Sequence, residues 1–329
     1  MKRMMKSCAA GMLVLTLLVG MMTLLAGCGD ALGGTPADDG VISVVCTNFA
    51  GYDMTRGMLN TYAANGGSGK VELILLGKSG QDMHDFEPSA ADIITLAAAD
   101  VVISTGAEGW LDAALSSAGN RNAVRVSMMD ACDVIAEGDH DHDPDHEHSH
   151  GEEDCSLIGG DEHVWLSVSN AIRIQTAIEM ALHTADPANA EAWQISGTAY
   201  RAELMALQAE YETMMANAAR NTVVIADRHP FAYLFRDLEI KCLAAFPGCS
   251  SETSASFQTQ MELIEQTKEW GLSYIFIIEG SDGKVAEVVA QETGTQVLSL
   301  HSMQVVTDRE ITYIQVMKQN LENLKKALQ

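Results

Sequence analysis

The sequence contains no Cys-x-x-Cys pair and no evident serine or cysteine nucleophile motif. The first absence argues against a thiolate zinc ribbon, whose cysteines come in such pairs. The second argues against a nucleophilic hydrolase, and the one His-Glu-x-x-His string, His146 to His150, lies in an acidic segment without helical periodicity, unlike the helix-borne zinc-protease site. Positive charge is also scarce: 20 Lys and Arg face 45 Asp and Glu, a net charge of −25. Such a field repels nucleic acid and anionic headgroups and draws cations. One stretch, "NGGSGK" at 65–70, approaches a phosphate-binding loop. That pattern needs Gly at 64 and Ser or Thr at 71, where Ala64 and Val71 stand. Nothing in the chain points to nucleotide hydrolysis.

What is present begins with an export signal. "MKRMMK" is a basic start, and "CAAGMLVLTLLVGMMTLLAGC" is an apolar run ending in small residues. Cys8 to Gly27 is about long enough to be read as a membrane span. Its ending, Leu25-Ala26-Gly27-Cys28, instead resembles a bacterial lipobox, in which Cys28 is lipidated and becomes the new N-terminus. Residues 1–27 are then the signal peptide, and the small, polar 28–40 a flexible tether. The expected location is extracytoplasmic, anchored to the bacterial cell membrane by lipid. Loss of Lys2, Arg3 and Lys6 with the signal makes the remainder more acidic still. Lipidation of Cys28 leaves Cys46, Cys132, Cys155, Cys242 and Cys249, an odd number, so at least one thiol has no partner within the chain.

With 329 residues, 47% of them hydrophobic, the chain has room for two domains with real cores. Short Val- and Ile-rich runs at 41–47, 71–76, 101–105 and 123–128 read as buried strands, with helical patterns between them. Ser89 and Asp92 resemble a capping box. A second block repeats the alternation, with strands at 222–226, 240–246, 274–278 and 295–301. The expected fold class is α/β, two Rossmann-like lobes, each a four-stranded, mainly parallel sheet with flanking helices. The N-terminal lobe covers 41–185 and the C-terminal lobe 219–329. A linker helix at 186–218 joins them, with Asp186 as N-cap and Pro187 in the first turn. Along it Trp193, Tyr200, Leu204, Leu207, Tyr211 and Met214 keep helical spacing. Thr307 and Glu310 read as the cap of the last helix, with an apolar stripe at Ile314, Met317, Leu321, Leu324 and Leu328. Residues 133–160 break the pattern and read as a solvated loop.

The histidines carry the chemistry. Five crowd into that loop: His140, His142, His146, His148 and His150 in "DHDHDPDHEHSHGEED". A flexible segment of this kind must be ordered by chelation before it binds, so it reads as a weak, accessory zinc site. Of the other five, His183 lies late in a helix, whereas His84, His163, His229 and His301 fall at strand ends or helix starts. In open α/β sheets, ligand sites collect outside the carboxyl ends of strands. Two of the four come from each half, so a cleft between lobes could unite them as a metal site, and neutral imidazoles suit zinc.

Four segments add a family. "HDFEPSAAD" and "DEHVWLSVSNA" resemble the H-x-[YF]-x-P-[ST]-x-x-D and D-P-H-x-W-L-D-x-x-N-A runs of ZnuA/TroA-type metal-binding solute-binding proteins. "IIEGSDGKVAEVVAQETG" is similar to their C-lobe segment and "YIQVMKQNLENLKKAL" to their closing helix. With the lipobox, the resemblance covers nearly the whole chain. It implies two α/β lobes bridged by a rigid helix, and a receptor that hands a metal ion to an ABC permease served by a separate ATPase chain. The chain is further expected to be no enzyme, to have no nucleic-acid partner and to be a monomer. His84 and His163 fall on the first two family ligands, and His301 where an aspartate usually stands. At the third ligand position the aligned residue is Arg228, which cannot ligate a cation. That leaves His229 one position later, Asp227, water or, more remotely, Glu279. A nitrogen-rich set favours Zn2+ over Mn2+. A manganese receptor, an extracellular metal buffer and an adhesin remain alternatives, and a zinc hydrolase is the weakest reading. Disulfides pairing Cys132 with Cys155, or Cys242 with Cys249, stay open.

Overall fold

The computed structural model describes residues 40–135, 160–248 and 254–329. Cys28, the five loop histidines His140 to His150, Cys155 and Cys249 lie outside the described residues. Cys46, Cys132 and Cys242 carry free thiols.

Four Val- and Ile-rich segments form the first sheet: β1 (Val41–Cys46), β2 (Lys70–Leu75), β3 (Val101–Ser104) and β4 (Val124–Ser127). β-branched residues fit a pleated surface, and β3 is buried along its whole length. The order is β2-β1-β3-β4, and every pair is parallel. The second sheet repeats this plan. β5 (Thr222–His229), β6 (Lys241–Pro247), β7 (Tyr274–Ile278) and β8 (Gln296–Leu300) lie in the order β6-β5-β7-β8, again all parallel. Parallel neighbours need crossovers, and helices supply them. They are α1 (Phe49–Tyr62), α2 (Ala90–Ala97), α3 (Leu111–Ala118) and α4 (Val168–Ala185), then α6 (Ala232–Asp237), α7 (Phe257–Glu269) and α8 (Lys284–Thr293). Between the halves runs α5 (Ala190–Ala216), 27 residues long, and α9 (Tyr313–Leu328) ends the chain.

The Ser89–Asp92 capping box forms as expected. Two other helix starts differ from the sequence pattern. Asp186 makes no side-chain cap. Its carboxylate accepts instead from Tyr62 Oη (2.9 Å), Trp193 Nε1 (3.0 Å) and Asn189 Nδ2, and α5 begins after a short 3-10 turn, Pro187–Asn189. The last helix is boxed by Thr312 and Gln315, not by Thr307 and Glu310. The carbonyls of Arg309 and Ile311 accept bonds from Arg56 of α1, which holds that stretch as a loop. Tertiary contacts have overridden a local signal in both places.

One continuous cluster of buried side chains runs from the first sheet (Val44, Ile103) through α5 (Trp193, Leu204, Leu207, Tyr211) to the second (Val223, Ile225, Phe276). Polar ties reinforce it. The Tyr313 N–H donates to Asp53, Tyr313 Oη to the Trp165 carbonyl (2.7 Å), and Trp165 Nε1 to the Ser302 carbonyl (2.9 Å). Each of these joins residues on opposite sides of α5 in the chain.

Candidate metal centre

In both sheets the chain reverses direction of travel between the first and third strands, which opens a crevice at their carboxyl ends. The residues that follow those ends touch one another across the two halves. His84 lies in a 3-10 turn, Met83–Asp85, after β2. Asp82 caps that turn by accepting the His84 backbone N–H (3.0 Å). The same Asp82 faces Arg228 of β5 at 3.6 Å. His163 precedes another 3-10 turn, Val164–Leu166, which places it just ahead of α4.

His84, Glu162 and His163 form the group of potential metal-ligating side chains found among the described residues, with one ligand atom from each within 4.8 Å of the others. The His163 side chain is fully buried, and that of His84 is 24% exposed. Each imidazole is backed by its own carboxylate. His163 Nδ1 lies 2.7 Å from Asp161 Oδ1, and His84 Nδ1 lies 2.9 Å from Glu162 Oε1. A carboxylate accepts and does not donate, so each Nδ1 carries a proton, and in the neutral imidazole Nε2 then keeps its lone pair. This pairing fixes the tautomer and raises ligand basicity, as carboxylates do behind zinc-bound histidines. Thr105 Oγ1 steadies the other Glu162 oxygen at 3.3 Å.

The proton affinities agree with that pattern. Burial opposes charge on Asp161, but His163, with help from His229, holds its carboxyl below the usual range. Burial likewise opposes charge on Glu162, and the bond and charge of His84 outweigh it, so that carboxyl is also held low. Burial pulls His84 down, while Glu162 and then Asp82 pull it up, and the net shift is upward. Both carboxylates are therefore anionic near neutral pH.

Both Nε2 atoms point to one place, and the carboxamide of Gln304 stands there. Its Nε2 lies 2.8 Å from His84 Nε2 and in closer contact still with His163 Nε2. Gln304 is buried, three residues past His301 in the loop after β8. His301 and His229 lie outside the cluster of ligating groups. His301 Nδ1 accepts the Met303 backbone N–H at 2.9 Å and sits 3.5 Å from Glu279. The His229 ring packs 5.1 Å from the ring of Phe235. β5 also runs on to His229, with a register shift between Ile225 and Arg228, where the sequence pattern ends it at 226. Asp227 accepts the next backbone N–H at 2.8 Å. Glu279 accepts the N–H groups of Ser302 (2.7 Å) and Gln304 (3.2 Å), so it is spent on the loop.

Sequence reasoning missed Asp161, Glu162 and Gln304. The first two had a signal: two adjacent carboxylates directly before His163, with Glu162 where the resembling segment has proline. Gln304 had none, because a neutral amide carries no metal signature.

The donor chemistry suits zinc: two imidazoles whose Nε2 atoms converge, and carboxylates behind them.

A family profile described as zinc-uptake complex component A, periplasmic, matches residues 53–327. The chain is 29% identical over 313 residues to the high-affinity zinc uptake system protein ZnuA of Bacillus subtilis, covering 93% of this chain and 94% of that one. It is 28% identical over 298 residues to the zinc-binding protein AdcA of Streptococcus pyogenes, covering 87% of this chain but only 56% of the relative. The chain thus spans a little over half the length of that longer protein. Among solved structures, the metal-dependent lipoprotein YcdH of Bacillus subtilis superposes with a TM-score of 0.70 at 27% identity, covering 87% of this chain and 99% of that one. The zinc-bound ZnuA-like domain of Streptococcus pneumoniae AdcA shares the fold, with a TM-score of 0.67 at 24% identity over 88% of this chain and 99% of that one. A match over residues 53–327, with parallel sheets in the same duplicated order meeting at paired histidines, makes this chain a member of the periplasmic zinc-uptake component A family.

Proposed function

We propose that this protein is an extracytoplasmic zinc receptor that captures Zn2+ between its two halves and delivers it to an ABC permease. The observation that carries this reading is the convergence of His84 Nε2 and His163 Nε2, each imidazole fixed by its own carboxylate. Nothing in the arrangement calls for catalysis: its function is to hold and release an ion. The ATPase that powers uptake is a separate chain in this reading, and the receptor is a monomer anchored through a lipid on Cys28. The five histidines of the 139–154 segment gather zinc as weak accessory ligands. Names among the relatives support zinc as cargo, and the nitrogen-rich donors argue against manganese, which prefers oxygen.

Calorimetric titration with ZnCl2 tests the site, and zinc uptake in permease-positive and permease-deleted cells tests the pathway. The expected result is one tight ion per chain and uptake that needs both proteins. Uptake that persists without the permease would refute delivery.

A further inference from the structure

Arg228 brings a permanent positive charge to a cleft that gathers positive ions. A local irregularity puts it there. The register of β5 against β6 shifts between Ile225 and Arg228, and such shifts re-aim side chains. Arg228 Nη1 then faces Asp82 Oδ2 of the N-terminal half at 3.6 Å. The other Asp82 oxygen accepts the His84 backbone N–H. A single carboxylate thus stands between the guanidinium and the turn that carries the His84 imidazole.

A guanidinium has five N–H donors. Among the described residues, that of Arg228 makes this one long ion pair and no hydrogen bond. The two side chains are 22% and 18% exposed. A long, partly exposed pair does little to hold two halves together. Other bonds tie the same edges. The Gly80 N–H donates to the Val306 carbonyl (2.8 Å), Ser79 Oγ to the Thr307 carbonyl (2.7 Å), and Arg309 Nη2 to the Gly77 carbonyl (2.9 Å). The geometry of the cleft does not depend on Arg228, so what this residue contributes is charge.

That charge reaches the site. Burial is the largest force against positive charge on His84, and Arg228 adds to it. A dication seated on the same ring meets the guanidinium with twice the charge of a proton. Asp82 pulls the other way. Together the pair has no net charge, and losing either member tips the balance.

We propose that Arg228 is a release-tuning residue, a fixed cation beside the His84 turn that limits the affinity of the cleft for divalent cations and speeds their departure. This rests on the zinc-site reading above. The effect acts through space, not through coordination, so it is blind to which divalent metal is bound.

The test measures Zn2+ and Co2+ affinity by chelator competition, and the rate of Zn2+ release by stopped flow into excess chelator. Arg228→Leu removes the charge and supplies no ligand. Its affinity for both metals should rise by the same factor, about fivefold or more, and zinc release should slow. Arg228→Lys keeps the charge and should stay within about twofold of wild type. Asp82→Asn removes the opposing charge but keeps an oxygen for the His84 N–H, so it should bind both metals more weakly. The double variant Asp82→Asn, Arg228→Leu should return toward wild type. A merely structural latch would instead weaken binding in both single variants. The proposal is overturned if Arg228→Leu does not bind more tightly, if Arg228→Lys behaves as Arg228→Leu does, or if the factors for the two metals differ severalfold. Should Arg228→Leu not fold, Asp82→Asn decides alone, and unchanged or tighter binding there overturns the proposal. His84→Ala serves as control. If it weakens binding while the Arg228 and Asp82 variants do not behave as stated, only the release role fails. If His84→Ala leaves affinity unchanged, the cleft is not the zinc site and both readings fail.

Discussion

The two halves share one strand order but bring unlike chemistry to the cleft. The N-terminal half presents two imidazoles with carboxylates behind them: His84 with Glu162, and His163 with Asp161. The C-terminal half presents a neutral amide, Gln304, and a fixed cation, Arg228. Its own two histidines are turned to other tasks, His301 to the loop backbone and His229 to packing beside Phe235. A duplicated fold thus does not imply a symmetric site. The first half is built to hold charge, and the second to complete and close the geometry.

The largest effect should come from breaking the charged half. His163→Ala removes a fully buried imidazole and is expected to weaken Zn2+ binding by at least about a hundredfold, roughly 2.7 kcal/mol, read by chelator competition. An unchanged affinity would mean the histidines do not define the site. Next comes the layer behind the imidazoles. Glu162→Gln can still accept from His84 Nδ1 but loses its charge, and a drop of about tenfold is expected, within the span seen for such orienting groups. His301→Ala and His229→Ala sharpen the contrast, since both rings lie outside the ligating cluster. Each should stay within about threefold of wild type, or about 0.7 kcal/mol. A loss as large as that of His163→Ala would restore a four-histidine site. The smallest effect on tight binding should follow deletion of 139–154. Calorimetry should lose the weak zinc phase carried by His140, His142, His146, His148 and His150 and keep the tight one.

The sheets were legible because Val and Ile runs mark buried strands. "YIFII" is β7 residue for residue. The Ser89–Asp92 box was legible because a capping box is local. Thr307 and Glu310 misled because the competing partner, Arg56, lies some 250 residues away in the chain. His84 and His163 stood out through residue type and place. Glu162 was visible as a carboxylate without a visible purpose, since its purpose is a ring 78 positions earlier. Gln304 was hidden by both its chemistry and its distance, meeting His163 across a sequence separation of 141.

The shared core has a thermal consequence. α5 spans about 40 Å at 1.5 Å per residue, and its buried face belongs to the same apolar cluster as both sheets. Neither sheet can lose its order without stripping α5 of one of its two packing surfaces. Heat should therefore melt the whole described fold in a single cooperative transition, with calorimetric and van't Hoff enthalpies in agreement. Amides of β1 and β5 should exchange with solvent at the same, global free energy. Two sheets that share one core give the molecule one stability rather than two.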